Sequence, residues 1–564
     1  MTVGIIGSGE AAAAVEDALE ATDTVRTTVE RTDEYELVVV TGQTGDSVFE
    51  EVDKRALDAE RRWVAVEIGG IGGVPVVETS VAFFDPSVGC YDCLRGRVEA
   101  NRDRQEPIDE QPAAHTVRFA GAVAGREISR YLDEGAEIFG RVITPPFEER
   151  RFLPLPNGRC GEQPDRTLGR RHTERPLEES LARAEQALDE TVGIIQEVGE
   201  AESFPVPYYL SRGCDTAGFS DASAARDAAG VAIDWNSAFM KALGEGLERY
   251  CAGVYRNEQL TQAPPAELSD AVPPSAFVCE REPDLEREIE WVEGEEIATG
   301  DQTLLPAEFV YHPPPASRYH SPVTTGLGLG NSPVEALLAG LYEVIERDAM
   351  MLSWYSSFEP LGVQIEDETY ETLSSRASSE GLSVSTLLLT QDVDVPVVAA
   401  AVSRDEWPKL AFGTGAHLDV NKAARSALAE ALQNWTELRG MGPDDAADAL
   451  GAIGTYADEP GPAAEFIEFD AAVPGDAVGP ETVPSGTAQL DVVCDRIDDA
   501  GLASYGARLT TRDVEQLGFE AVRVVVPSAQ PLTFGTPSFS DRVRSVPEQL
   551  GFEPKLDRDH HPFP

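Results

Sequence analysis

The sequence predicts a two-part protein, an α/β N-terminal domain joined to a larger mixed domain built around glutamate-bearing helices. Three observations predict it. The chain opens on a strand, a glycine turn and an alanine-rich helix; its second half repeats the phrase Glu-x-x-Glu-Arg in two helical runs; and a polar, arginine-rich stretch separates the halves.

At the start, Val3-Gly4-Ile5-Ile6 reads as a strand and Gly7-Ser8-Gly9-Glu10-Ala11-Ala12 as a Gly-x-Gly-x-x-Ala turn entering a helix, with Glu30 about twenty residues beyond. Such a turn either seats a dinucleotide or serves only tight helix packing, and both readings stand at this level. β-rich runs from Tyr35 to Thr41 and from Trp63 to Ile68, with helical segments between, predict a small parallel sheet. A Cys-x-x-Cys phrase, Cys90 and Cys93, follows, and Cys160 comes much later. Residues 161–175 are polar and arginine-rich, Leu177 to Glu197 reads as an acidic amphipathic helix, and Ser203-Phe204-Pro205-Val206-Pro207 closes the stretch as a hinge. A second polar break, Met441 to Pro484, reads as a surface loop.

The second half carries the chemistry. Glu245 and Glu248 precede Arg249, and Glu343 and Glu346 precede Arg347, in runs of Ala, Leu, Met and Glu that predict helices. Residues three apart share a helix face, and like charges held that close repel unless a cation sits between them. One such pair in so acidic a chain also fits a solvated face with ordinary salt bridges. Two copies with one syntax favour a metal and nucleotide site, in which magnesium takes carboxylate and phosphate oxygens and arginines clamp the phosphates. Glu430 and Gln433 repeat the spacing in a third helical run. Thr324 to Pro333 is a glycine-rich loop entering a helix that starts near Ser332, with Pro333 suited to its first turn. Asn331, Glu335, Glu343 and Glu346 then fall along one side of that helix. No Gly-x-x-x-x-Gly-Lys-Ser/Thr phrase occurs, so a P-loop is excluded.

With these phrases in order, the stretch from about Ser211 to Pro564 resembles the YcaO domain, whose members bind ATP through Glu-x-x-Glu-Arg, Asn-x-x-x-Glu and Glu-x-x-Gln elements. The resemblance implies an α+β YcaO-type ATP-binding domain. It implies magnesium ligation by Glu245, Glu248, Glu335, Glu343 and Glu346, with Glu430 as a further candidate. Arg249 and Arg347 would serve the phosphates, Asn331 and Gln433 would make polar contacts, and Lys241 stands where many relatives have serine. Arg347 and Pro564 are the catalytic candidates. The implied reaction adds a nucleophile to a peptide carbonyl whose oxygen is then phosphorylated by ATP. A neighbouring Cys, Ser or Thr gives a thiazoline or oxazoline; external sulfide gives a thioamide. The end His561-Pro562-Phe563-Pro564 resembles the proline-rich terminus of azoline-forming members, although a Pro-containing end also fits a free tail.

Residues 1–165 resemble the ubiquitin-activating-enzyme-like proteins that accompany or are fused to YcaO cyclodehydratases and grip the leader of a precursor peptide. Those relatives hold structural zinc with two Cys-x-x-Cys pairs, whereas here Gln163 stands at the fourth position. Zinc on Cys90, Cys93 and Cys160 therefore needs His115, His172, a carboxylate or water, and reduced, packed cysteines are the alternative. The expected organisation is a peptide-binding domain at 1–165, a helical linker at 166–205 and a catalytic domain at 206–564. Expected partners are the precursor peptide, a dehydrogenase or a sulfur-delivery protein, and a second copy in a homodimer. A non-catalytic peptide-binding scaffold is the remaining alternative.

Composition sets the surroundings. The chain has 100 acidic against 45 basic residues, a formal charge of -55, and among its basic residues only 5 are lysine. A hydrophobic content of 42% argues against acidic disorder and for a folded protein adapted to concentrated salt, as in a haloarchaeal cytoplasm. So acidic a surface argues against nucleic-acid binding. No apolar run reaches membrane-spanning length and no signal peptide is evident, and 7 cysteines without a disulfide framework suit a reducing compartment.

Overall fold

Strand Thr2–Ile6, the glycine turn and helix Glu10–Ala18 form as expected, followed by strands Leu37–Gln43 and Trp63–Ile68. The computed structural model describes residues 2–19, 25–28, 35–108, 111–146, 148–161, 165–448, 451–535 and 537–563; Glu30, Gln163 and Pro564 lie outside the described residues. The first sheet runs Val25–Thr28, Thr2–Ile6, Leu37–Gln43, Trp63–Ile68, Thr79–Phe84, Arg141–Thr144, Glu148–Arg151 in space. Its first four strands are parallel, and the other three are antiparallel. The expected parallel sheet is thus extended on one side, because the stretch from Gly69 to Glu78 is too short for a helical crossover.

Helices Glu10–Ala18 and Ala114–Glu134 cover one face of this sheet, and Ser47–Asp58 and Tyr91–Ala100 cover the other, each burying its own apolar cluster. The glycine turn is explained by packing. Gly7 has φ 114° and lies so close to Thr41 that a Cβ would strike its carbonyl oxygen and hydroxyl. Glu10, in the first turn of the helix, pairs with Arg118 at 3.1 Å, so this helix start already carries a carboxylate, which disfavours a phosphate there.

Three further sheets build the second half. A three-stranded antiparallel sheet orders Asp227–Val231, Tyr208–Gly213 and Ile195–Glu202; a second joins Thr261–Ala263, Ile289–Glu296, Tyr505–Arg508, Glu520–Val525 and Leu327–Gly330, with Gln302–Pro306 beside Ile289–Glu296. The third runs Leu410–Ala416, Val397–Ser403, Ser383–Leu388, Leu361–Gln364, Ala472–Pro474. Helices are segregated against these sheets, the α+β arrangement.

Two expectations fail. Leu177 to Glu197 is not one helix: helix Leu177–Ala184 ends early and Ile195 begins strand Ile195–Glu202. The Asp189 carboxylate accepts the N–H groups of Thr191 and Val192, which turns the chain, and pairing with Tyr208–Gly213 outweighs the helical pattern. Met441 to Pro484 is not a loop without core. Its short helices Ile453–Asp458 and Gly461–Phe466 bury Tyr456 and Phe466 against the long helix Pro333–Trp354, and elements of six residues are too short to show a period.

Candidate functional site

One local design occurs three times. Strands Asp227–Val231, Leu327–Gly330 and Leu410–Ala416 each lead within a few residues into a long helix, Trp235–Gly253, Pro333–Trp354 and Val420–Met441 respectively. The helices start on the side chains of Asp234, Ser332 and Asp419, which accept the backbone N–H of Ser237, Glu335 and Asn421 at 2.9, 3.4 and 3.0 Å. Pro333 occupies the first turn as expected. Each strand presses a glycine, Gly230, Gly328 or Gly413, against the helix backbone, where a Cβ would collide with a helical carbonyl. That approach lets a helix glutamate reach back to the strand segment: Glu245 accepts from Ala229 N at 3.2 Å, Glu343 from Gly326 N at 2.9 Å, and Glu430 from Thr414 N at 2.5 Å.

Fixed in this way, the three helices turn one face each into a shared cavity of about 570 Å³. All eleven residues expected to bind cofactor line it: Lys241, Glu245, Glu248, Arg249, Asn331, Glu335, Glu343, Glu346, Arg347, Glu430 and Gln433. Six carboxylates there face three cations. Arg249 pairs with Glu245 at 3.1 Å and Glu248 at 3.5 Å, and Arg347 Nε lies 3.9 Å from Glu346. Glu335 is held by the backbone and side-chain amides of Asn331 at 2.8 and 3.2 Å, and Ser180 donates to Asn331 at 2.8 Å. Burial, reinforced by neighbouring carboxylates, pushes Glu248 and Glu346 up to about 7 although Arg249 and Arg347 oppose it. Burial raises Glu430 as well. The hard oxygen donors suit magnesium and the arginines suit phosphate, with the acids spread around the cavity: among the described residues no three of these carboxylates lie within 4.8 Å of one another.

Two participants carry no recognisable motif. The Thr414 hydroxyl donates to Glu346 at 2.6 Å and so links the second helix to the third strand. Arg523, on strand Glu520–Val525, donates to the carbonyls of Thr324 and Val323 at 3.0 Å each and pins the loop that presents Gly326 to Glu343. Burial lowers it to about 10, while Glu343 and Glu248 favour its charge. Neither residue has a sequence signal, because strand pairing alone brings each to the site.

The C-terminal stretch is anchored rather than loose. Phe563 is buried among Phe412, Phe466 and Trp354, with ring centroids 5.4, 6.1 and 6.2 Å away. The buried His561 ring pairs with the Thr533 carbonyl at 2.9 Å, and burial, together with the charges of His560 and Arg347, holds it down at about 3. Pro564 lies outside the described residues.

Cys90, Cys93 and Cys160 do meet, with sulfurs 3.5 and 3.3 Å apart and all three buried. The expected fourth ligand is not among the described residues. His115 is exposed on helix Ala114–Glu134, and His172 packs on Gly486. The side chain that reaches the cluster is Arg512, whose Nη2 lies 2.9 Å from Cys160 Sγ. A guanidinium offers no lone pair to a metal, so these residues do not complete a tetrahedral zinc site.

Comparison with known proteins gives the same picture of the fold. A profile of the YcaO family, described as YcaO cyclodehydratase, ATP- and Mg2+-binding, matches residues 229–530, more than half of the chain. An uncharacterized protein of Methanothermobacter thermautotrophicus is 30% identical over 336 residues, 56% of this chain and 85% of its own length. A heterocyclase solved in complex with substrate and cofactor is similar with a TM-score of 0.75 and 19% identity, covering 100% of this chain and 85% of that one. The heterocyclase TruD is similar with a TM-score of 0.66 and 19% identity, covering 98% and 82%. At that identity the structural likeness is one of fold.

Proposed function

The chain belongs to the YcaO family, and from that premise we propose that it activates backbone amides of a ribosomally made precursor peptide with ATP and magnesium, forming thiazoline or oxazoline rings from Cys, Ser or Thr. The observation that carries this reading is the one cavity that all eleven expected residues line, six carboxylates and three cations among them. Magnesium bound there would offset the negative charge of carboxylates and triphosphate together, and ATP would provide the phosphoryl group that makes an amide oxygen a leaving group. Glu245, Glu248, Glu335, Glu343 and Glu346 would offer oxygens to magnesium shared with the phosphates, with Glu430 as a further candidate. Arg249 and Arg347 neutralise phosphate oxygens, Asn331 and Gln433 orient polar edges, and Lys241 lines the same cavity. Thr414 keeps Glu346 turned inward. The burial of Phe563 and the hydrogen-bonded ring of His561, in the stretch that resembles azoline-forming members, support ring formation over thioamide formation.

In this reading residues 1–165 bind the precursor leader and residues 206–564 carry out the chemistry, in a homodimer working in a salt-rich cytoplasm. A dehydrogenase acting on the rings is the natural later partner. Among the described residues no helix is long and apolar enough to cross a membrane.

The test uses the full chain in concentrated potassium chloride with magnesium, ATP and a Cys-, Ser- and Thr-rich peptide encoded beside it. Expected are peptide-stimulated phosphate release and loss of one water per ring by mass spectrometry. Oxygen-to-sulfur exchange in the peptide would replace ring formation with thioamide formation, and binding without ATP turnover would reduce the protein to a scaffold.

A further inference from the structure

We propose that the cysteine cluster is a metal-free clasp between the two halves of the chain, in which the Arg512 guanidinium holds the position that a fourth zinc ligand would need. This does not depend on what the glutamate cavity binds.

The donor set is the first argument. Cys90, Cys93 and Cys160 are the only group of described metal-ligand side chains within mutual reach there. The acids nearby are committed elsewhere: Asp53 accepts from Tyr91 N at 2.9 Å, and Asp92 pairs with Arg159. A three-ligand zinc site keeps an open position for water, but Cys90, Cys93 and Cys160 are 1%, 0% and 2% exposed. The sulfurs find protein donors instead. Leu155 N lies 3.2 Å from Cys93 Sγ, and Arg512 Nη2 lies 2.9 Å from Cys160 Sγ and 3.9 Å from Cys93 Sγ. Arg512 Nη1 donates to the Cys160 carbonyl. The backbone is shaped for this arginine, since Gly161 has φ 71° and a Cβ there would sit 3.2 Å from Arg512 Nη1.

The second argument is where the clasp leads. Asp513 is fully buried, and it takes the guanidinium of Arg97 and the hydroxyl of Tyr250, the latter at 2.7 Å. Arg97 lies one helical turn beyond Cys93, and Tyr250 follows Arg249 of the first glutamate helix. Consecutive residues of one segment, Arg512 and Asp513, thereby fasten the front domain's cysteine helix to the helix that lines the cavity. A guanidinium is charged at every accessible pH and brings several fixed donors, so it can satisfy sulfur and carbonyl at once where a metal would need a fourth electron pair.

The test measures zinc by mass spectrometry in the full chain, purified in high salt from zinc-replete growth. Expected is less than about 0.1 zinc per chain, and no thiolate absorption on adding cobalt chloride. Arg512→Ala should lower the melting temperature by about 3 °C or more, Arg512→Lys by less, and zinc chloride should restore neither. One zinc per chain that Cys160→Ser removes would overturn the proposal even if the arginine variants fail to fold. So would an Arg512→Ala protein that melts like the wild type.

Discussion

The glutamate cavity and the cysteine cluster begin from the same sequence cue, ligand-type side chains three residues apart, and end in opposite electrostatic states. In the cavity, six carboxylates meet three cations around about 570 Å³ of space, and burial pushes Glu248 and Glu346 up to about 7. In the cluster, the sulfurs are closed off and a cation arrives from far along the chain, Arg512 against Cys160. Spacing identifies residues able to bind. Whether they line open volume or are closed around a protein cation separates a binding cavity from an internal contact.

The sharpest way to break this contrast is to remove a carboxylate that strand N–H or buried charge holds in place. Glu343→Ala and Glu248→Ala should each cut ATP turnover by about a thousandfold, with circular dichroism in concentrated salt unchanged; retained phosphate release in both would falsify the assigned roles.

The buried contacts between the halves should respond in stability instead. Arg97→Met leaves the Asp513 carboxylate buried without its cation, at a cost of about 3–5 kcal/mol, visible as an earlier urea midpoint. An unshifted midpoint would mean that the interface does not rest on this pair.

Acidity separates the two regions more gently. Because the folded protein holds protons on Glu248 and Glu346 up to about 7 and the unfolded chain does not, stability without ligand falls as pH rises from the ordinary carboxylate range through 7. Magnesium nucleotide needs the ionised forms, so its affinity should rise from pH 6 to pH 8, by about tenfold per unit below 7 for each proton displaced. Calorimetry with a non-hydrolysable ATP analogue in two buffers of different ionisation enthalpy measures the protons released; no release would contradict the shared-charge account.

The smallest expected effect is at Thr414. Thr414→Val removes one hydrogen bond to Glu346, about 1 kcal/mol or a few-fold in nucleotide affinity, and Thr414→Ser should keep it. Equal weakening by both variants would assign the effect to packing.

What could be read beforehand follows from how each contact is made. Ten of the eleven cavity residues were legible because residues three and four apart along a helix keep one face, and because Ser332 and Pro333 announce where the second helix starts, whereas Lys241 came only from the family resemblance. Thr414 and Arg523 were not, since strand pairing brings them to the site from a distance. Arg512 stands hundreds of residues from Cys160, and no local pattern links them. Leu177 to Glu197 misled because its acidic periodicity is real, while pairing of Ile195–Glu202 with Tyr208–Gly213 decides the outcome.

The threefold strand–helix design is not perfectly repeated. Where the first two helices present Glu248-Arg249 and Glu346-Arg347, the third presents Gln433, and Asn434 ties itself to the Phe412 carbonyl at 2.7 Å. Two walls of the chamber are therefore ionic and the third is neutral at that level. An elongated guest with a charged head and an uncharged body meets matching surroundings in only one direction of entry, so the irregular copy gives the chamber a front and a back.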